Sequence, residues 1–526
     1  MEAGFDGKLW RKLTMDERRT IASLLAELSG AELVRGDADT TVTSIAHDSR
    51  RSGEGTLYVA VPGFTVDAHE YLPGVVAGGA SAVLVQRDRA KSWGNIEGVA
   101  VIAVDDTRLA LPTASAWFYR HPGREMVVVG ITGTDGKTTT SHLLTSVLEA
   151  SGARVGRLGT VDTYMPGEAG HVTDRMTTPE APEVQALLRR MVDARCEFAI
   201  VESTSHGLAL HRLDHVEYDI AAFTNITGDH LDFHKTFEAY REAKGMLFEA
   251  LESSFDKGVT KVAVVNADDP SANSMLARAP GASRVRFGTE ALTADVIATG
   301  VQLRPDGTTF RLQTPSGAAE VSMGLPAMFN VMNALAAAGI GLAAGLDVRT
   351  IAKGLSNAPG VPGRMERIDC GQPFTVIVDY AHTGDAVRKV LDVLRAVTSG
   401  RLVIVVGAAG ERDPGRRFGV GRAAAEGADF AVFTSEDPRS EDPAEIVREI
   451  GRHAESAGKT KGRDFVEIED RREAIAEAFK RANPGDLVVV AGKGHEKSIV
   501  YGQESRPWDD RTVAREELSR LGFVMS

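Results

Sequence analysis

The segment at 133–139 has the residue types and spacing of a loop that can hold a phosphate group. Its two glycines let backbone N–H groups curve around an anion, a helix N-terminus follows, and Lys137 adds a positive charge. Thr138 can place its hydroxyl on a Mg²⁺ ion that accompanies a nucleotide. An ordinary glycine-rich turn is the alternative, because Ile131 stands where the strict G-x-x-x-x-G-K-[ST] pattern has its first glycine. The preceding β-rich run and the helical pattern at 141–150 favour the phosphate loop. That loop consists of Gly133, Thr134, Asp135, Gly136, Lys137, Thr138 and Thr139.

Two further polar segments follow predicted strands in the same part of the chain. Glu202 comes directly after the apolar run at 197–201, and a carboxylate beside a phosphate loop suits Mg²⁺, which prefers oxygen ligands. A solvated strand end is the alternative for this residue. The segment at 224–248 carries His230 and His234 together with two aspartates, which indicates metal binding on chemical grounds. Histidine prefers transition metals, so these residue types by themselves do not select Mg²⁺.

Composition excludes several classes of function. The 526-residue chain is long enough for about three or four domains, and its net charge of −13 argues against a general nucleic-acid binder. Cys196 and Cys370 lie far apart, so neither a disulfide framework nor a zinc site is expected. The N-terminus lacks the apolar core of a signal peptide, and no stretch approaches about 18 uninterrupted apolar residues. We therefore expect a cytoplasmic protein that neither binds nor spans a membrane.

The alternation of apolar runs with helical patterns predicts an α/β fold that is divided at two segments rich in Pro and Gly. With HPGRE and APGVPG as boundaries, the expected domains are 1–122, 123–362 and 363–526. Uniformly apolar strands separated by helices indicate parallel sheets that are covered on both faces. Ligands bind such sheets at the carboxyl ends of the strands, where the polar segments above lie.

One helix start in the last block is predicted in detail. Asp442 should cap a helix, with Pro443 in its first position and Glu445 completing a capping box.

The stretch GTDGKTTT at 133–140 resembles the ATP loop of the Mur ligases, the enzymes that add amino acids to the peptidoglycan precursor. Their relatives, the folylpolyglutamate synthetases, usually have GKGS there, so KTTT favours the Mur side. The resemblance covers about residues 40–525, with the motifs in the expected order. It implies an N-terminal α/β domain for a uridine nucleotide, a central P-loop ATPase-like domain with a parallel sheet, and a C-terminal Rossmann-like domain for an amino acid.

The resemblance implies ATP, two Mg²⁺ sites and a modified lysine. Lys244, in REAKGML, matches the family lysine that becomes carbamylated, whereas the residue type alone would indicate a surface helix lysine. Catalysis is thereby assigned to Lys137, Lys244, Glu202 and His230. The implied metal ligands are Thr138, Glu202, His230 and the carbamate on Lys244. Besides the phosphate loop, the residues implied to contact ATP are Asn330, Asn333, Arg364, Asp379, Tyr380 and His382. For the two asparagines, helix capping is the alternative.

Several polar motifs match the family's contacts with UDP-N-acetylmuramoyl-L-alanyl-D-glutamate. They are the DSR segment and the following V-x-G loop, the T-T-P segment, and ESTSHGL with its downstream arginine. The implied substrate-binding residues are His47, Ser49, Phe64, Thr65, Val66, Thr177, Thr178, Thr204 and Arg212.

Segments of the last block match the amino-acid pocket of the tripeptide synthetases within this family. The implied residues are Arg412, Glu436, Asp437, Pro438, Arg439, Gly492 and Glu496. Arginine can place two N–H donors on a carboxylate, and Glu496 can hold an ammonium. Synthetases that add meso-diaminopimelate usually have D-N-P-R where this chain has EDPR. Arg439, which the resemblance implies as the partner of the distal carboxylate, is kept. Asp437, however, replaces an amide and favours an ammonium. The resemblance thus implies a diamino acid, with meso-diaminopimelate slightly favoured over lysine or ornithine.

The implied reaction is ATP-dependent ligation through an acyl phosphate on the D-glutamate γ-carboxylate, which the amine of the diamino acid then attacks. We expect a monomer whose partners are the UDP-linked substrate and the diamino acid, with no nucleic acid. Two alternatives stay open: a folylpolyglutamate-synthetase-like ligase, and a non-catalytic nucleotide-binding scaffold of cell-wall synthesis.

Overall fold

The computed structural model describes residues 19–63, 66–89, 93–167, 178–227, 231–290, 293–304, 307–412 and 415–523. The chain forms two compact units, one of residues 1–297 with 335–351 and the other of residues 298–334 with 352–526. The α/β class with parallel sheets is confirmed. The three domain boundaries drawn from the sequence stay a prediction.

The first unit opens with a five-stranded sheet in the order β2-β7-β6-β5-β4, parallel except for its β2 edge. Its strands, with the separate β1–β3 pair, are β1 (Arg19–Thr20), β2 (Glu32–Arg35), β3 (Thr41–Val42), β4 (Ser44–Ala46), β5 (Thr56–Val59), β6 (Ala82–Gln86) and β7 (Ala100–Val104). The helices here are α1 (Ile21–Leu25), α2 (Leu72–Ala77) and α3 (Thr107–Phe118). The linker predicted at 121–125 contains a 3₁₀ turn, Pro122–Glu125.

A second sheet in this unit carries the phosphate loop. Its strands are β8 (Val127–Thr132), β9 (Val155–Leu158), β10 (Thr163–Tyr164), β11 (Phe198–Glu202), β12 (Ile220–Phe223), β13 (Val262–Asn266) and β14 (Ser283–Gly288). They lie in the order β10-β9-β11-β8-β12-β13-β14, and only β10 runs antiparallel. The connecting helices are α4 (Lys137–Glu149), α5 (Ala181–Asp193), α6 (Ser205–Ala209), α7 (Leu231–His234), α8 (Phe237–Ser253) and α9 (Ala272–Leu276). Because β11 and β12 flank β8, the segments that follow these three strands meet at one edge of the sheet.

Three elements have residues in both units: β15 (Val296–Arg304), α10 (Met328–Ala343) and α11 (Val348–Ser356). The second unit also contains an antiparallel hairpin of β16 (Gly307–Thr314) and β17 (Gly317–Met323).

The main sheet of the second unit has the order β18-β19-β23-β20-β21-β22, with β18 as an antiparallel edge. These strands are β18 (Glu366–Ile368), β19 (Thr375–Asp379), β20 (Leu402–Val406), β21 (Phe430–Phe433), β22 (Phe465–Glu467) and β23 (Leu487–Ala491). A hairpin of β24 (Ser498–Tyr501) and β25 (Glu504–Pro507) follows. The helices are α12 (Gly384–Val397), α13 (Gly415–Gly427), α14 (Pro443–Ser456), α15 (Arg471–Arg481) and α16 (Asp510–Arg520).

The apolar strands of this sheet are buried on both faces, as predicted. Successive side chains of a strand point to opposite faces, so Ile377 belongs to one hydrophobic core while Val376 and Val378 belong to the other. In this sheet β23 lies between β19 and β20, although it comes last in sequence. The segment that follows β23 therefore lies between the segments that follow β19 and β20.

The predicted helix start at Asp442 is confirmed in part. Asp442 accepts a hydrogen bond from the Ala444 amide at 3.0 Å, with Pro443 in the first turn. The reciprocal half of the capping box is wrong, since the Glu445 carboxylate instead pairs with Arg448 and Arg452 on its own helix. Cys196 and Cys370 are buried free thiols. Within the described ranges, no helix is both long enough and apolar enough to cross a bilayer.

Candidate functional site

The phosphate loop joins the end of β8 to the start of α4. Gly136 caps the helix in a left-handed conformation, with φ of 87°, which costs glycine little. The helix begins at Lys137 rather than near residue 141, so Lys137, Thr138 and Thr139 form its first turn. Amides of a first helical turn have no partner within the helix, and they bring the positive end of the helix dipole to the loop. This end of α4 can therefore receive a phosphate.

The residues after β12 hold the loop in shape. The Asn225 carbonyl accepts the Thr134 amide at 2.8 Å, and the Asn225 side-chain Oδ1 accepts the Asp135 amide at 3.0 Å. The Thr224 hydroxyl donates to the Asp135 carbonyl at 2.7 Å. A Cβ atom on Gly133 would lie 1.9 Å from Thr224 Oγ1, so a larger residue has no room there. The loop is thus shaped by its neighbouring strand.

Two lysines converge on one carbonyl of the loop. Lys137 Nζ donates to the Gly133 carbonyl at 2.8 Å and to the Thr134 carbonyl at 2.9 Å. Lys244 Nζ, on α8, donates to the same Gly133 carbonyl at 2.7 Å and lies 4.4 Å from the centre of the Tyr240 ring. Lys244 is only 1% exposed, which excludes the surface-lysine alternative. Lys244 Nζ is therefore held inside the protein, directly beside the phosphate loop.

Glu202 ends β11 and is 1% exposed, so the solvated alternative is wrong for this carboxylate. Its Oε2 accepts hydrogen bonds of 2.9 Å from the Thr138 and Thr160 hydroxyls. Its Oε1 accepts the Ser141 hydroxyl at 3.3 Å. A Cβ on Gly159 would lie 2.3 Å from Oε1, so this glycine makes space for the carboxylate.

The chemistry of these donors fits Mg²⁺. A buried carboxylate and two hydroxyls are hard oxygen ligands, and they lie against the loop expected to bind phosphates. Among the residues that the structure describes, no group of three or more His, Cys, Asp or Glu side chains forms a ready-made metal site. The other two metal ligands expected from the family resemblance are His230 and Lys244 in its carbamylated form. His230 lies outside the described residues.

The residues expected to bind the muramoyl part form one hydrogen-bonded cluster. The Thr178 hydroxyl lies 2.9 Å from the Thr204 hydroxyl, and Arg212 donates to the Thr178 carbonyl at 3.3 Å. Arg212 also pairs with Glu180 at 2.7 Å. Thr178 Oγ1 reaches the Glu202 carbonyl at 3.1 Å, so this cluster adjoins the phosphate site. Thr177 lies outside the described residues.

The first sheet carries the residues expected to bind the uridine nucleotide. His47 and Ser49 follow edge strand β4, and both are partly exposed. Val66 is 44% exposed, while Phe64 and Thr65 lie outside the described residues. Near them, Arg51 pairs with Glu183 at 3.1 Å, and burial raises the pKa of the Glu183 carboxyl.

In the second unit, Asn330 and Asn333 lie inside α10 and are buried. Asn330 Nδ2 donates to the Pro326 carbonyl at 2.7 Å, and Asn333 Nδ2 donates to Asn330 Oδ1 at 3.2 Å. Their side chains therefore bond to each other and to the chain before the helix, and the helix-capping alternative does not describe them.

Four residues expected to contact ATP cluster near the end of β19. The Arg364 guanidinium lies 4.6 Å from the centre of the Tyr380 ring, and His382 Nδ1 lies 2.9 Å from the Tyr380 carbonyl. Asp379 accepts the amides of Met365 and Ala381, both at 2.8 Å. Burial raises the pKa of Asp379 and lowers the pKa of His382, so burial disfavours the charged form of each.

The two segments expected to bind the amino acid meet through a residue that the sequence did not single out. Lys493, which follows β23 and is 1% exposed, lies 2.9 Å from Asp437 Oδ1 and also pairs with Glu496. The same Asp437 oxygen accepts the Val500 amide at 2.9 Å. The Tyr380 hydroxyl contacts Glu496 Oε1 at 3.4 Å. The lysine was visible in GKGHE, but its partner could not be known without the strand order.

The other residues of this region surround that lysine. Glu436 is buried, and burial raises its pKa to about 7. Arg439 adopts a left-handed backbone with φ of 54°, and its amide donates to the Val500 carbonyl at 2.9 Å. The loop after β20 lies against EDPR. A Cβ atom on Gly410, in that loop, would lie only 2.1 Å from the Pro438 carbonyl oxygen. Gly492 has φ of 113° and faces Glu436. The Arg412 side chain is exposed and follows that β20 loop.

A buried ion pair underlies both segments. Arg471 and Asp510 are fully buried and make paired contacts of 2.8 and 2.7 Å. Arg471 also donates to the carbonyl of Ser435, directly before EDPR, at 3.2 Å, and to that of Ala491, directly before GKGHE, at 2.8 Å. Together with Thr160 and Lys493, these two residues were missed by the sequence analysis.

Two family models match the chain. The Mur ligase middle domain matches residues 131–341, which contain the phosphate loop, Glu202 and Lys244. The Mur ligase glutamate ligase domain matches residues 363–494, which contain EDPR and Lys493.

Individual relatives agree with these matches. The chain is 46% identical to a UDP-N-acetylmuramyl-tripeptide synthetase of Roseiflexus sp. (strain RS-1), over 92% of this chain and 95% of the relative. It is 40% identical to a UDP-N-acetylmuramoyl-L-alanyl-D-glutamate–2,6-diaminopimelate ligase of Bacillus licheniformis, over 95% of this chain and 99% of the relative. A solved structure of a ligase with that second name is similar with a TM-score of 0.69 and 29% identity, covering 96% of this chain and 99% of that one. With these similarities along nearly its whole length, the chain belongs to the Mur ligase family.

Proposed function

We propose that the protein is an ATP-dependent ligase that joins a diamino acid, meso-diaminopimelate, to UDP-N-acetylmuramoyl-L-alanyl-D-glutamate in peptidoglycan synthesis. The observation that carries the proposal is the convergence of Lys137 and Lys244 on the Gly133 carbonyl, beside the buried Glu202 carboxylate. The ligase names of the relatives, over more than nine-tenths of the chain, support the same activity.

Phosphoryl transfer to a carboxylate has an electrostatic problem, because the attacking carboxylate and the γ-phosphate are both negative. Lys137 and the N-terminal turn of α4 place positive charge where the phosphates of ATP would lie. The asparagine and threonine that brace the loop hold these donors in position before the nucleotide arrives. This part of the chain thus lowers the repulsion between the two reactants.

Mg²⁺ would be held by Thr138 and Glu202, whose oxygens are 2.9 Å apart, with His230 and a carbamylated Lys244 as further ligands implied by the family. When bound, the metal supplies additional positive charge at the phosphate oxygens. Thr160 bonds to the same Glu202 oxygen as Thr138 and therefore orients the carboxylate.

Lys244 is a reasonable site for carbamylation on chemical grounds. Only an uncharged amine reacts with CO₂, and burial in general disfavours the charged form of an amine. Lys244 is buried beside the phosphate loop. The resulting carboxylate would turn a cation at this position into an anionic oxygen ligand, which suits Mg²⁺. Lys137 would remain the lysine that contacts the phosphates.

The second half of the reaction is attack by the amine of the diamino acid on the acyl phosphate. The new bond forms between the amine nitrogen and the γ-carbonyl carbon of D-glutamate, phosphate leaves with the C–O bond electrons, and the amine gives up one proton to the departing phosphate. No covalent protein nucleophile is needed. Ser205 and His206 are sequence neighbours, and the Ser205 hydroxyl instead lies 3.0 Å from His234 Nε2, which is consistent with a structural role.

The two alternatives are less well supported. A folylpolyglutamate-synthetase-like ligase would have an activity different from the ones that the relatives' names give. The chain is nevertheless 46% and 40% identical to those relatives over nearly its full length. A non-catalytic scaffold would not need Lys137, Glu202 and Lys244 to be brought together at one phosphate loop.

The test is phosphate release by the purified protein with ATP, Mg²⁺ and UDP-N-acetylmuramoyl-L-alanyl-D-glutamate, with meso-diaminopimelate, lysine, ornithine or no amino acid. We expect release with meso-diaminopimelate and a product of the matching mass. Absence of a product with every amino acid, from a folded protein that binds ATP, would refute the ligase proposal.

A further inference from the structure

The charge of the amino-acid pocket cannot be read from its motif alone. In EDPR, the carboxylate of Asp437 would attract the ammonium of a basic amino acid, whereas the guanidinium of Arg439 would attract a carboxylate. Lysine and ornithine end in an ammonium alone. The distal end of meso-diaminopimelate carries an ammonium and a carboxylate together. The net charge of the fixed groups therefore separates the two classes of substrate.

Lys493 adds to this pocket a positive charge that the EDPR motif does not contain. Its Nζ lies 2.9 Å from Asp437 Oδ1 and contacts Glu496, and the residue is 1% exposed. The Asp437 oxygen that it contacts also accepts the Val500 amide at 2.9 Å, so the chain's own donors already occupy this oxygen. A charge held in a water-excluded position acts more strongly than the same charge at the surface.

Arg439 is differently placed. Its backbone is fixed in the left-handed region by the bond of its amide to the Val500 carbonyl at 2.9 Å. Its Nε is buried, and within the described ranges it has no hydrogen-bond partner. A buried donor of this kind is costly unless a ligand satisfies it, and a carboxylate is its natural partner.

The formal charges of Asp437, Glu496, Lys493 and Arg439 can be added, leaving out Arg412, whose side chain is exposed. Asp437, Glu496 and Lys493 sum to −1, and Arg439 contributes +1, so the group matches an end that carries one ammonium and one carboxylate. Without Lys493 the same group would sum to −1 and would match a lone ammonium. Arg471 and Asp510 beneath the pocket cancel each other. Glu436 adds less than a full charge near neutral pH, because burial raises its pKa to about 7.

We propose that Lys493 determines the specificity of the ligase by neutralising Asp437, so that Arg439 can bind the distal carboxylate that the family resemblance implies for it. The inference rests on the proposed function. Lys493 acts through Asp437 and Glu496 and is therefore a positioning residue. It follows that an acidic residue in EDPR does not convert this protein into a lysine-adding enzyme.

The test compares kcat/KM for meso-diaminopimelate and for L-lysine, with product masses, in the wild type and in variants. Lys493→Met should lower the ratio of the two values by about 30-fold or more, because an uncompensated carboxylate disfavours the substrate's carboxylate. The double variant Lys493→Met with Asp437→Asn should restore most of the ratio. Asp437→Asn alone should raise it. Lys461→Met is the matched control, since Lys461 pairs with Glu467 and is 54% exposed in its side chain.

The outcomes separate the two proposals. A wild type that forms no product with any diamino acid refutes the proposed function. A wild type that adds meso-diaminopimelate, with an unchanged ratio in Lys493→Met, refutes the role of Lys493 alone. If circular dichroism shows that Lys493→Met is unfolded, Asp437→Asn decides, and an unchanged ratio in that variant overturns the inference. A wild-type preference for lysine would overturn it as well.

Discussion

Thr138 and Glu202 are joined by a hydrogen bond of 2.9 Å, which links the first turn of the phosphate-loop helix to the end of the neighbouring strand. The bond exists because β8 and β11 are adjacent parallel strands, with Glu202 paired in register with Ile131. The phosphate loop and the carboxylate are therefore positioned by the same sheet.

Replacing Glu202 with Gln should raise the Mg²⁺ concentration for half-maximal activity. Because Gln keeps the shape but removes the charge, we expect an increase of about 10- to 100-fold, as for changes around other metal sites. Titrating phosphate release with Mg²⁺ measures this effect. Glu197→Gln, at the exposed residue directly before the same strand, is the control and should behave like the wild type. An unchanged Mg²⁺ requirement in Glu202→Gln would remove Glu202 from the metal site.

Lys244 provides a test of the carbamate. Both Lys244→Ala and Lys244→Arg should lose about 10²- to 10³-fold in kcat, since an arginine keeps the positive charge but forms no carbamate. A short carboxylic acid should partly rescue the alanine variant. Carbon-13 NMR of the wild type, equilibrated with labelled bicarbonate, should show a carbamate carbon that both variants lack. Full activity of Lys244→Arg would contradict the assignment.

The Arg471–Asp510 pair should contribute strongly to stability. Arg471→Met leaves the Asp510 carboxylate buried without its partner, which typically costs about 3–5 kcal/mol of unfolding free energy. Urea unfolding of the full-length protein measures the loss of unfolding free energy, read from the transition that belongs to the second unit. Arg506→Met is the control, because the Arg506–Glu504 pair is exposed and should change stability by less than about 0.5 kcal/mol. An Arg471→Met protein as stable as the control would show that the pair is not a structural support.

Glu436 makes stability depend on pH. Burial raises its pKa from 4.5 to about 7, so between these values the native state binds a proton that the unfolded state has released. The stabilisation is full below pH 4.5 and is lost as the pH rises through 7, by about 3 kcal/mol in total. Glu436→Gln lacks this dependence. The stability of the variant minus that of the wild type should therefore be larger at pH 8 than at pH 5, and a difference that is independent of pH would contradict the burial of a charged carboxylate.

Much of the phosphate site could be predicted from sequence, because its residues directly follow three strands that lie side by side. The glycines, Lys137 and Thr138 predict the phosphate loop, and Glu202 comes at the end of an apolar run. The contribution of Thr160 could not be predicted in this way. It follows β9, which is two strands from β8, and only the order β9-β11-β8 brings its hydroxyl to Glu202.

The amino-acid pocket shows the same limit more clearly. EDPR follows β21 and GKGHE follows β23, the last strand of the sheet in sequence. Because β23 lies between β19 and β20, with β21 next to β20, the segment after β23 meets both neighbouring loops. Lys493 thereby comes within reach of Asp437, which follows β21, and Glu496 within reach of Tyr380, which follows β19. The expectation that Asp437 favours an ammonium was drawn from the EDPR motif alone, without this lysine.

The most direct measurement uses substrate whose D-glutamate γ-carboxylate is labelled with oxygen-18. If the carboxylate attacks ATP and the amine then displaces phosphate, one labelled oxygen passes from the substrate to each phosphate released. We predict released phosphate that carries one label, together with the ligated product. Release of unlabelled phosphate alongside product formation would contradict the acyl phosphate and the mechanism assigned to this site.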